Sequence, residues 1–245
     1  MKNPPARIQG PGVIGCWRSH ANAWSHIISS GISSALILED DVDFSVGIRD
    51  ILEGVSTHLQ GVLGNQEPYG MVDGNSWDML ALGHCHHRLP DPKIYPKAAR
   101  QIQSWVDPYA PESDNLSEQF LPGTRSKNIR VLAPAKEMRC THAYAVTRAG
   151  AMRLLYGIGG PGRILDRQMD WIMMDMLDQG LLKGYLTLPT IFGQWGYGDW
   201  RGTDIQLTLD KHVGSWPDII QSVRSEMAEV LLQRNVWDEY EREQE

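Results

Sequence analysis

The most informative stretch of the sequence is Ala35-Leu36-Ile37-Leu38-Glu39-Asp40-Asp41-Val42-Asp43. Its first four residues form a short and continuously apolar run, which predicts a strand buried on both faces of a sheet. A cluster of carboxylates follows directly, at the carboxyl end of that strand. Because open parallel sheets bind ligands beyond the carboxyl ends of their strands, we expect the ligand site at this acidic segment, Glu39–Asp43.

The carboxylates of the acidic segment repel one another unless a cation neutralises them. In an extended chain, Glu39 and Asp41 point to the same side, roughly 6–7 Å apart, whereas an ion bound by both needs oxygens at about 2.0–2.2 Å. Both can bind the ion if the chain curves there or if one acts through water. We predict Mn²⁺ or Mg²⁺ at Glu39 and Asp41, with Asp43 as a further ligand, because a set of oxygen donors disfavours Zn²⁺. The alternative is a solvated acidic turn that caps the next helix.

The hydrophobic periodicity around this strand predicts alternating helices and strands. Apolar positions at steps of three and four, from Trp17 to Ile28, indicate a helix that ends at Gly31. The alternation predicts an α/β fold with one central, mostly parallel sheet. Residues 84–130 lack periodicity, which is typical of a functional or disordered segment. Further helices are expected at 48–59, 149–156, 167–179 and 220–237, and further strands at 77–82, 131–133, 141–147 and 185–188.

Composition argues against several classes of protein. The 245 residues carry a net charge of −7, so nucleic acid is not an expected partner. No apolar run approaches the roughly 20 residues that a membrane span needs. The beginning, Met1–Arg7, lacks the apolar region of a signal peptide, so no leader is expected. Three cysteines cannot all pair within the chain, so a disulfide scaffold is not expected; they are Cys16, Cys85 and Cys140.

Two further positions carry residues of catalytic type. Asp170 lies four residues after Asp166 at the start of a predicted helix, among apolar neighbours, where a partly desolvated carboxylate can act as a general base. The alternative for Asp170 is a buried salt bridge with Arg163 or Arg167.

The run His84-Cys85-His86-His87 cannot wrap one tetrahedral ion and has no second ligand pair at suitable spacing, so we do not expect structural zinc there. A metal-dependent hydrolase that uses His84, His86 and Asp41 is a weaker candidate function. His20, between two tryptophans of the first helix, is by its surroundings more typical of a core histidine.

Four segments, taken in order, resemble glycosyltransferase family 25, the lipooligosaccharide and collagen galactosyltransferases. Asp170 and the stretch from Pro189 to Gln194 fall where that family has an acidic residue and a loop between proline and glutamine. The resemblance covers residues 12–206. The four segments are Gly15–His20 with Trp24, Ala35–Val42, Trp77–Cys85 and Cys140–Ala151.

The resemblance implies a nucleotide-sugar-dependent glycosyltransferase with a GT-A-like, Rossmann-like fold. Such an enzyme would move a hexose, expected to be galactose, from a UDP-sugar to a hydroxyl of a glycan or protein acceptor, with inversion. A divalent ion at the acidic segment would neutralise the departing diphosphate, and Asp170 would take the acceptor's proton. The residues expected to contact the donor are Asp40, Ser19 and His20.

The family usually begins with a strand and an Arg-rich helix that help to hold the nucleotide. Only Met1–Pro11 precede the Gly15 motif, so we expect this first unit to be absent. The alternative function is therefore a catalytically inactive, glycosyltransferase-like domain that binds a glycan or a protein. The expected organisation is an α/β domain over 1–206 and a helical extension over 207–245. Relatives often work in the secretory pathway, and the sequence leaves the compartment open.

Overall fold

The computed structural model describes residues 10–64, 76–159, 168–197, 213–214 and 217–227. The helices in these ranges are α1 (Pro11–Ser29), α2 (Ile48–Leu63), α3 (Pro96–Ala99), α4 (Asp114–Phe120), α5 (Arg148–Gly159) and α6 (Met169–Asp178). The strands are β1 (Ser34–Leu38), β2 (Val42–Phe44), β3 (Met79–Gly83), β4 (His86–Arg88), β5 (Gln103–Val106), β6 (Ile129–Pro134), β7 (Glu137–Arg139), β8 (Ala143–Thr147), β9 (Gly184–Leu188), β10 (Phe192–Gln194), β11 (Gly196–Tyr197) and β12 (Val213–Gly214). None of the described helices is long and apolar enough to cross a membrane.

The central sheet has six strands in the order β1-β8-β3-β9-β6-β5. The pair β3–β9 is parallel, whereas β8 runs against both β1 and β3, and β6 runs against both β9 and β5. The mixed α/β class is confirmed, but the prediction of a mostly parallel sheet is wrong for these strands. The alternation of helices and strands does not reveal that β8 inserts between two strands that share a direction.

The apolar residues of the helices cover both faces of this sheet. On one face, Trp24 of α1, Leu154 of α5 and Met173 of α6 pack against alternate residues of β3 and β8. On the other face, α2 packs Val55 and its apolar neighbours against the remaining residues of β3. The predicted apolar face of the first helix is confirmed, since its two central tryptophans, Trp17 and Trp24, are both buried.

The strand β1 lies at the edge of the sheet, which differs from the prediction of a strand buried on both faces. Ala35 and Ile37 pack towards α1, but Leu36 is 43% exposed and Leu38 is 44% exposed. An apolar run indicates that a strand has apolar surroundings on at least one face. Its position in the sheet depends on which other strands pair with it, and that information lies elsewhere in the chain.

Two other stretches differ from their predictions. Residues 84–130, expected to be irregular, contain β4, α3, β5 and α4, and β5 completes the far edge of the sheet. The predicted helix at 220–237 is wrong for residues 220–226, which form turns and a bridge between Ser222 and Ser45 of the main body. The later part of that predicted helix lies outside the described residues.

Helix α5 closely approaches the residue that precedes β3 at Gly150, in its first turn. A side chain there would overlap with the backbone carbonyl of Asp78, which is held because it accepts a hydrogen bond from Thr147 at 3.0 Å. We expect Gly150→Ala to lower the free energy of unfolding by about 2–3 kcal/mol, since overpacking against a fixed backbone atom forces the helix away from the sheet. Urea denaturation measures this change.

The matched control is Gly61→Ala in α2, where a side chain would meet nothing within 4 Å. This substitution should raise the free energy of unfolding by about 0.5–1 kcal/mol, because alanine restricts the unfolded chain and favours the helix. Equal stability of the Gly150→Ala variant and the wild type would contradict the close approach.

Candidate active site

The carboxyl ends of β1 and β3 meet the start of β8 at one edge of the sheet. In the strand pairing, the last residues of β1 and β3 both lie opposite Ala143. Glu39 directly follows β1, His84 directly follows β3, and His142 directly precedes β8. Because β8 runs against the other two strands, the three residues are grouped at this edge. The amide of Glu39 donates a hydrogen bond of 2.9 Å to the carbonyl of His142. The predicted site at the end of β1 thus adjoins two buried histidines.

Glu39 is held by contacts with α1 and with the start of β8. Its Oε1 accepts a hydrogen bond of 3.0 Å from the hydroxyl of Thr141 and lies 3.6 Å from Nε2 of His20. Burial alone would raise the pKa of Glu39, but the facing His20 ring and the Thr141 hydroxyl outweigh it, so the pKa lies below its ordinary value. Glu39 is therefore ionised at neutral pH.

Asp41 lies in a different environment. Its Oδ2 accepts a hydrogen bond of 3.0 Å from Nε2 of Gln194, whereas its Oδ1 is buried and has no partner among the described residues. Burial, followed by the nearby charge of Glu39, raises the pKa of Asp41 from 3.8 to about 6. The acidic segment therefore presents one stabilised carboxylate, Glu39, and one, Asp41, of which one oxygen has no partner within the ranges that the structure describes.

Asp43, predicted as a further metal ligand, is wholly buried and lies among other partners. Its Oδ2 accepts a hydrogen bond of 2.6 Å from the hydroxyl of Ser222, and its Oδ1 accepts one of 3.2 Å from the amide of Arg224. The Arg224 side chain in turn donates to the carbonyls of Val42 and Asp40 at 3.1 and 2.8 Å. Asp43 therefore fastens the segment around Ser222 to β2, and we assign it a structural role.

Asp170 and Glu39 are bound to consecutive residues of one connection. The amide of Cys140 donates to Oδ2 of Asp170 at 3.1 Å, and Thr141 is the residue that holds Glu39. The other oxygen of Asp170 accepts from the amide of Trp171 at 2.9 Å. Two carboxylates that are far apart in the sequence are thus both bound to the connection from β7 to β8. The alternative partners of Asp170, Arg163 and Arg167, lie outside the described residues, as does Asp166.

A disulfide joins this connection to the residue after His84. Cys85 and Cys140 are bonded, with their Cα atoms 5.6 Å apart, and Cys16 is a free, half-buried thiol. The odd number of cysteines did not indicate this pair, which is separated by 55 residues in the sequence. Cys85 is therefore unavailable as a thiolate ligand.

The two buried histidines each use one nitrogen. Nε2 of His84 lies 3.0 Å from the carbonyl of Thr187, and Nε2 of His142 lies 3.0 Å from the carbonyl of Phe192. A carbonyl only accepts, so both rings carry their proton on Nε2, and each leaves Nδ1 buried and without a partner among the described residues. Burial lowers the pKa of His84 to about 4 and also lowers the pKa of His142, so both rings are neutral.

The described residues contain no group of three or more histidine, cysteine or acidic side chains that could hold a metal ion by themselves. The set His84, His86 and Asp41, considered above for a hydrolase, is therefore not brought together. His86 instead lies 3.6 Å from Glu137 on the neighbouring strand. Any ion at Glu39 and Asp41 would need further oxygens from its substrate or from water.

Comparison with known proteins identifies the family to which the chain belongs. Residues 6–159, more than half of the chain, match the model of glycosyltransferase family 25, described as LPS biosynthesis protein. The chain belongs to glycosyltransferase family 25. A curated relative, Procollagen galactosyltransferase 1 of Danio rerio, is 28% identical over 96 residues, which cover 39% of this chain and 14% of that protein. Membership in family 25 implies a sugar donor and an acceptor.

Within the family 25 match, the residues predicted to contact the donor have different surroundings. Ser19 on α1 and Asp40 in the acidic segment are exposed. His20 is only 5% exposed, and both of its ring nitrogens face protein atoms, Nδ1 towards Tyr144 and Nε2 towards Glu39. The structure therefore brings His20 to the site as a neighbour of Glu39, away from the surface that a donor would reach.

Sequence reasoning missed four residues that complete the site: Thr141, Tyr144, Gln194 and Arg224. The first two stand in the fourth family segment and Gln194 in the predicted proline–glutamine loop, so their positions were noticed but their contacts were not. Arg224 carries no local signal, because its role depends on a segment that returns to β2 from far along the chain.

We expect Asp41→Asn to stabilise the protein at pH 8 and to lose this effect at pH 4. The folded-state pKa of about 6 exceeds the ordinary value of 3.8, so ionising Asp41 destabilises the fold, and this penalty is present above pH 6 and absent below about pH 4. With allowance for solvent at this half-buried side chain, the gain at pH 8 is about 1–2 kcal/mol. Urea denaturation at both pH values measures it.

The control for this prediction is Asp178→Asn, at the exposed end of α6. It should change the free energy of unfolding by about 0.5 kcal/mol or less at either pH. A destabilised Asp41→Asn variant at pH 8 would contradict the environment described for Asp41.

Proposed function

We propose that this family 25 protein is a metal-dependent glycosyltransferase of the GT-A type that moves a hexose from a UDP-sugar to an acceptor hydroxyl with inversion. The observation that carries the proposal is the attachment of Glu39 and Asp170 to the consecutive residues Thr141 and Cys140. One carboxylate is thereby available for the donor's metal ion and the other for the acceptor's proton.

The acidic segment fits Mn²⁺ or Mg²⁺. Glu39 is ionised, and the buried Oδ1 of Asp41 has no partner in the described part of the chain, so a cation would supply the missing charge. Proteins commonly bind such ions through one or two carboxylates, with substrate phosphates and water as the remaining ligands. When bound, the ion stabilises the negative charge of the departing diphosphate.

The residues of this chain have distinct roles in the proposed transfer. Asp170 accepts the proton of the acceptor hydroxyl as the acceptor oxygen bonds to the anomeric carbon and the bond from that carbon to the diphosphate breaks. The amides of Cys140 and Trp171 orient the Asp170 carboxylate. Exposed Asp40 and Ser19 are suited to hydrogen-bond ribose or sugar hydroxyls, while His20 supports Glu39 rather than the donor.

The proposed sugar is galactose, and the proposed acceptor is a glycan or a protein hydroxyl. Support comes from the name of the Danio rerio relative, Procollagen galactosyltransferase 1, and from the description of the family model as LPS biosynthesis protein. The matched segment spans only 14% of that relative.

Binding of Mn²⁺ and UDP tests the donor site. Titration calorimetry of the wild type with Mn²⁺, followed by UDP, should show one site for each. Glu39→Gln and Asp41→Asn should abolish the Mn²⁺ signal, because each removes one of the two carboxylate ligands. Asp178→Asn, on the exposed end of α6, should bind as the wild type does.

Two results would overturn the donor site. If the wild type binds neither Mn²⁺ nor UDP, the proposed donor site is refuted. If both carboxylate variants bind Mn²⁺ with unchanged affinity, Glu39 and Asp41 are not its ligands. Retention of the protein on an immobilised glycan without UDP binding would instead favour the inactive, glycan-binding alternative.

The role of Asp170 is tested by Asp170→Asn in a galactosyl-transfer assay. The amide keeps the size of the side chain but cannot take the acceptor's proton, so turnover should fall by about 10²–10⁴-fold. The affinities for UDP and Mn²⁺ and the urea midpoint should stay close to the wild type. Asp178→Asn on the same helix is the matched control, and full turnover in the Asp170 variant would refute the assignment.

A further inference from the structure

Three buried side chains, Trp24, Tyr144 and His20, form a hydrogen-bonded series that ends at Glu39. Nε1 of Trp24 donates to the hydroxyl of Tyr144 at 2.9 Å, and that hydroxyl lies 2.7 Å from Nδ1 of His20. The opposite nitrogen of the same ring, Nε2, lies 3.6 Å from Oε1 of Glu39. All three are buried in the core between α1 and β8, so this series connects the core directly to Glu39.

When the His20 ring is neutral, the donors and acceptors of these three side chains and Glu39 fit together in one arrangement. The indole N–H of Trp24 can only donate, so the Tyr144 oxygen accepts from it and directs its own proton to Nδ1 of His20. The ring then carries a proton on Nε2, which faces the carboxylate of Glu39. The opposite tautomer would place the lone pair of Nε2 against the negative charge of Glu39, which is unfavourable.

The Tyr144 hydroxyl stays protonated and available as a donor. Burial raises the pKa of Tyr144 well above its ordinary value. The neighbouring rings restrict movement, since the His20 and Tyr144 rings are stacked at 5.7 Å and the His20 and Trp24 rings lie 6.0 Å apart.

We infer that Tyr144 and His20 are positioning residues that fix the Glu39 carboxylate for the divalent ion, with Trp24 orienting the Tyr144 hydroxyl. This inference rests on the proposed function, because it concerns the ion proposed at Glu39 and Asp41. The Thr141 hydroxyl holds Oε1 of Glu39 from the β8 side, and the His20 ring holds it from the α1 side. Together these contacts limit the rotamers that Glu39 can adopt.

The decisive variant is Tyr144→Phe, which removes one oxygen atom and keeps the ring. Without the hydroxyl, the tautomer and orientation of His20 are no longer fixed, and Mn²⁺ affinity should fall by about 10- to 100-fold, as it does when residues that orient metal ligands are changed. Titration calorimetry with Mn²⁺ alone measures the affinity. Tyr185→Phe makes the same change in another buried tyrosine of the sheet and should leave the affinity unchanged.

A second pair of variants separates positioning from folding. His20→Gln keeps an N–H that can face Glu39 and should retain most of the Mn²⁺ affinity, whereas His20→Leu should lose about as much as Tyr144→Phe. Trp24→Phe should lower the urea midpoint, because it removes a large buried side chain, yet change Mn²⁺ affinity less than Tyr144→Phe, since the contact between Tyr144 and His20 remains. Affinity losses that simply follow the losses of stability would overturn the inference.

The outcomes distinguish this inference from the function on which it rests. A wild type that binds no Mn²⁺ overturns both. A wild type that binds Mn²⁺ with an affinity matched by Tyr144→Phe overturns only the role of the Tyr144 hydroxyl and leaves the ion at Glu39 and Asp41 in place. Weakened binding in Tyr144→Phe and His20→Leu, with recovery in His20→Gln, supports it.

Discussion

The antiparallel pairing of β8 between β1 and β3 is the constraint on which the rest of the structure depends. It sets the start of β8 against the carboxyl ends of two strands that share a direction, so the acidic segment, His84 and His142 converge at one edge. Gly83 permits this approach, since a side chain there would overlap with the ring of His142. The loop before β8 can then hold Glu39 through Thr141 and Asp170 through Cys140.

The four carboxylates of the acidic segment have separate roles because they differ in burial and in partners. Glu39 is stabilised in its charged form, and Asp43 is buried as an anchor. Asp40 is exposed, whereas Asp41 has a raised pKa and one oxygen without a partner in the described part of the chain. The Oδ1 atom of Asp41, which has no partner among the described residues, reduces stability when the carboxyl group is ionised. Such conflicts between local stability and the global fold are typical of functional sites.

The family 25 match ends at residue 159, yet the site also requires segments beyond it. Gln194 holds Asp41, Arg224 and Ser222 hold the acidic segment and Asp43, and Asp170 completes the pair of carboxylates. The matched part therefore forms the edge of the sheet, and later parts of the chain complete it. Tyr144 and His20 connect that edge to the core, which links the packing of α1 to the geometry of Glu39.

The sequence by itself determined the α/β class, the apolar face of α1 and the family resemblance, and it predicted the acidic segment as the site. These features are local, since periodicity and motif spacing report the nearest residues along the chain. Only the tertiary structure decided the direction of β8, the edge position of β1, the bond between Cys85 and Cys140, and the different surroundings of Asp41 and Asp43. Each of these depends on contacts between residues far apart in the sequence, and such contacts are selected by the packing of the whole chain.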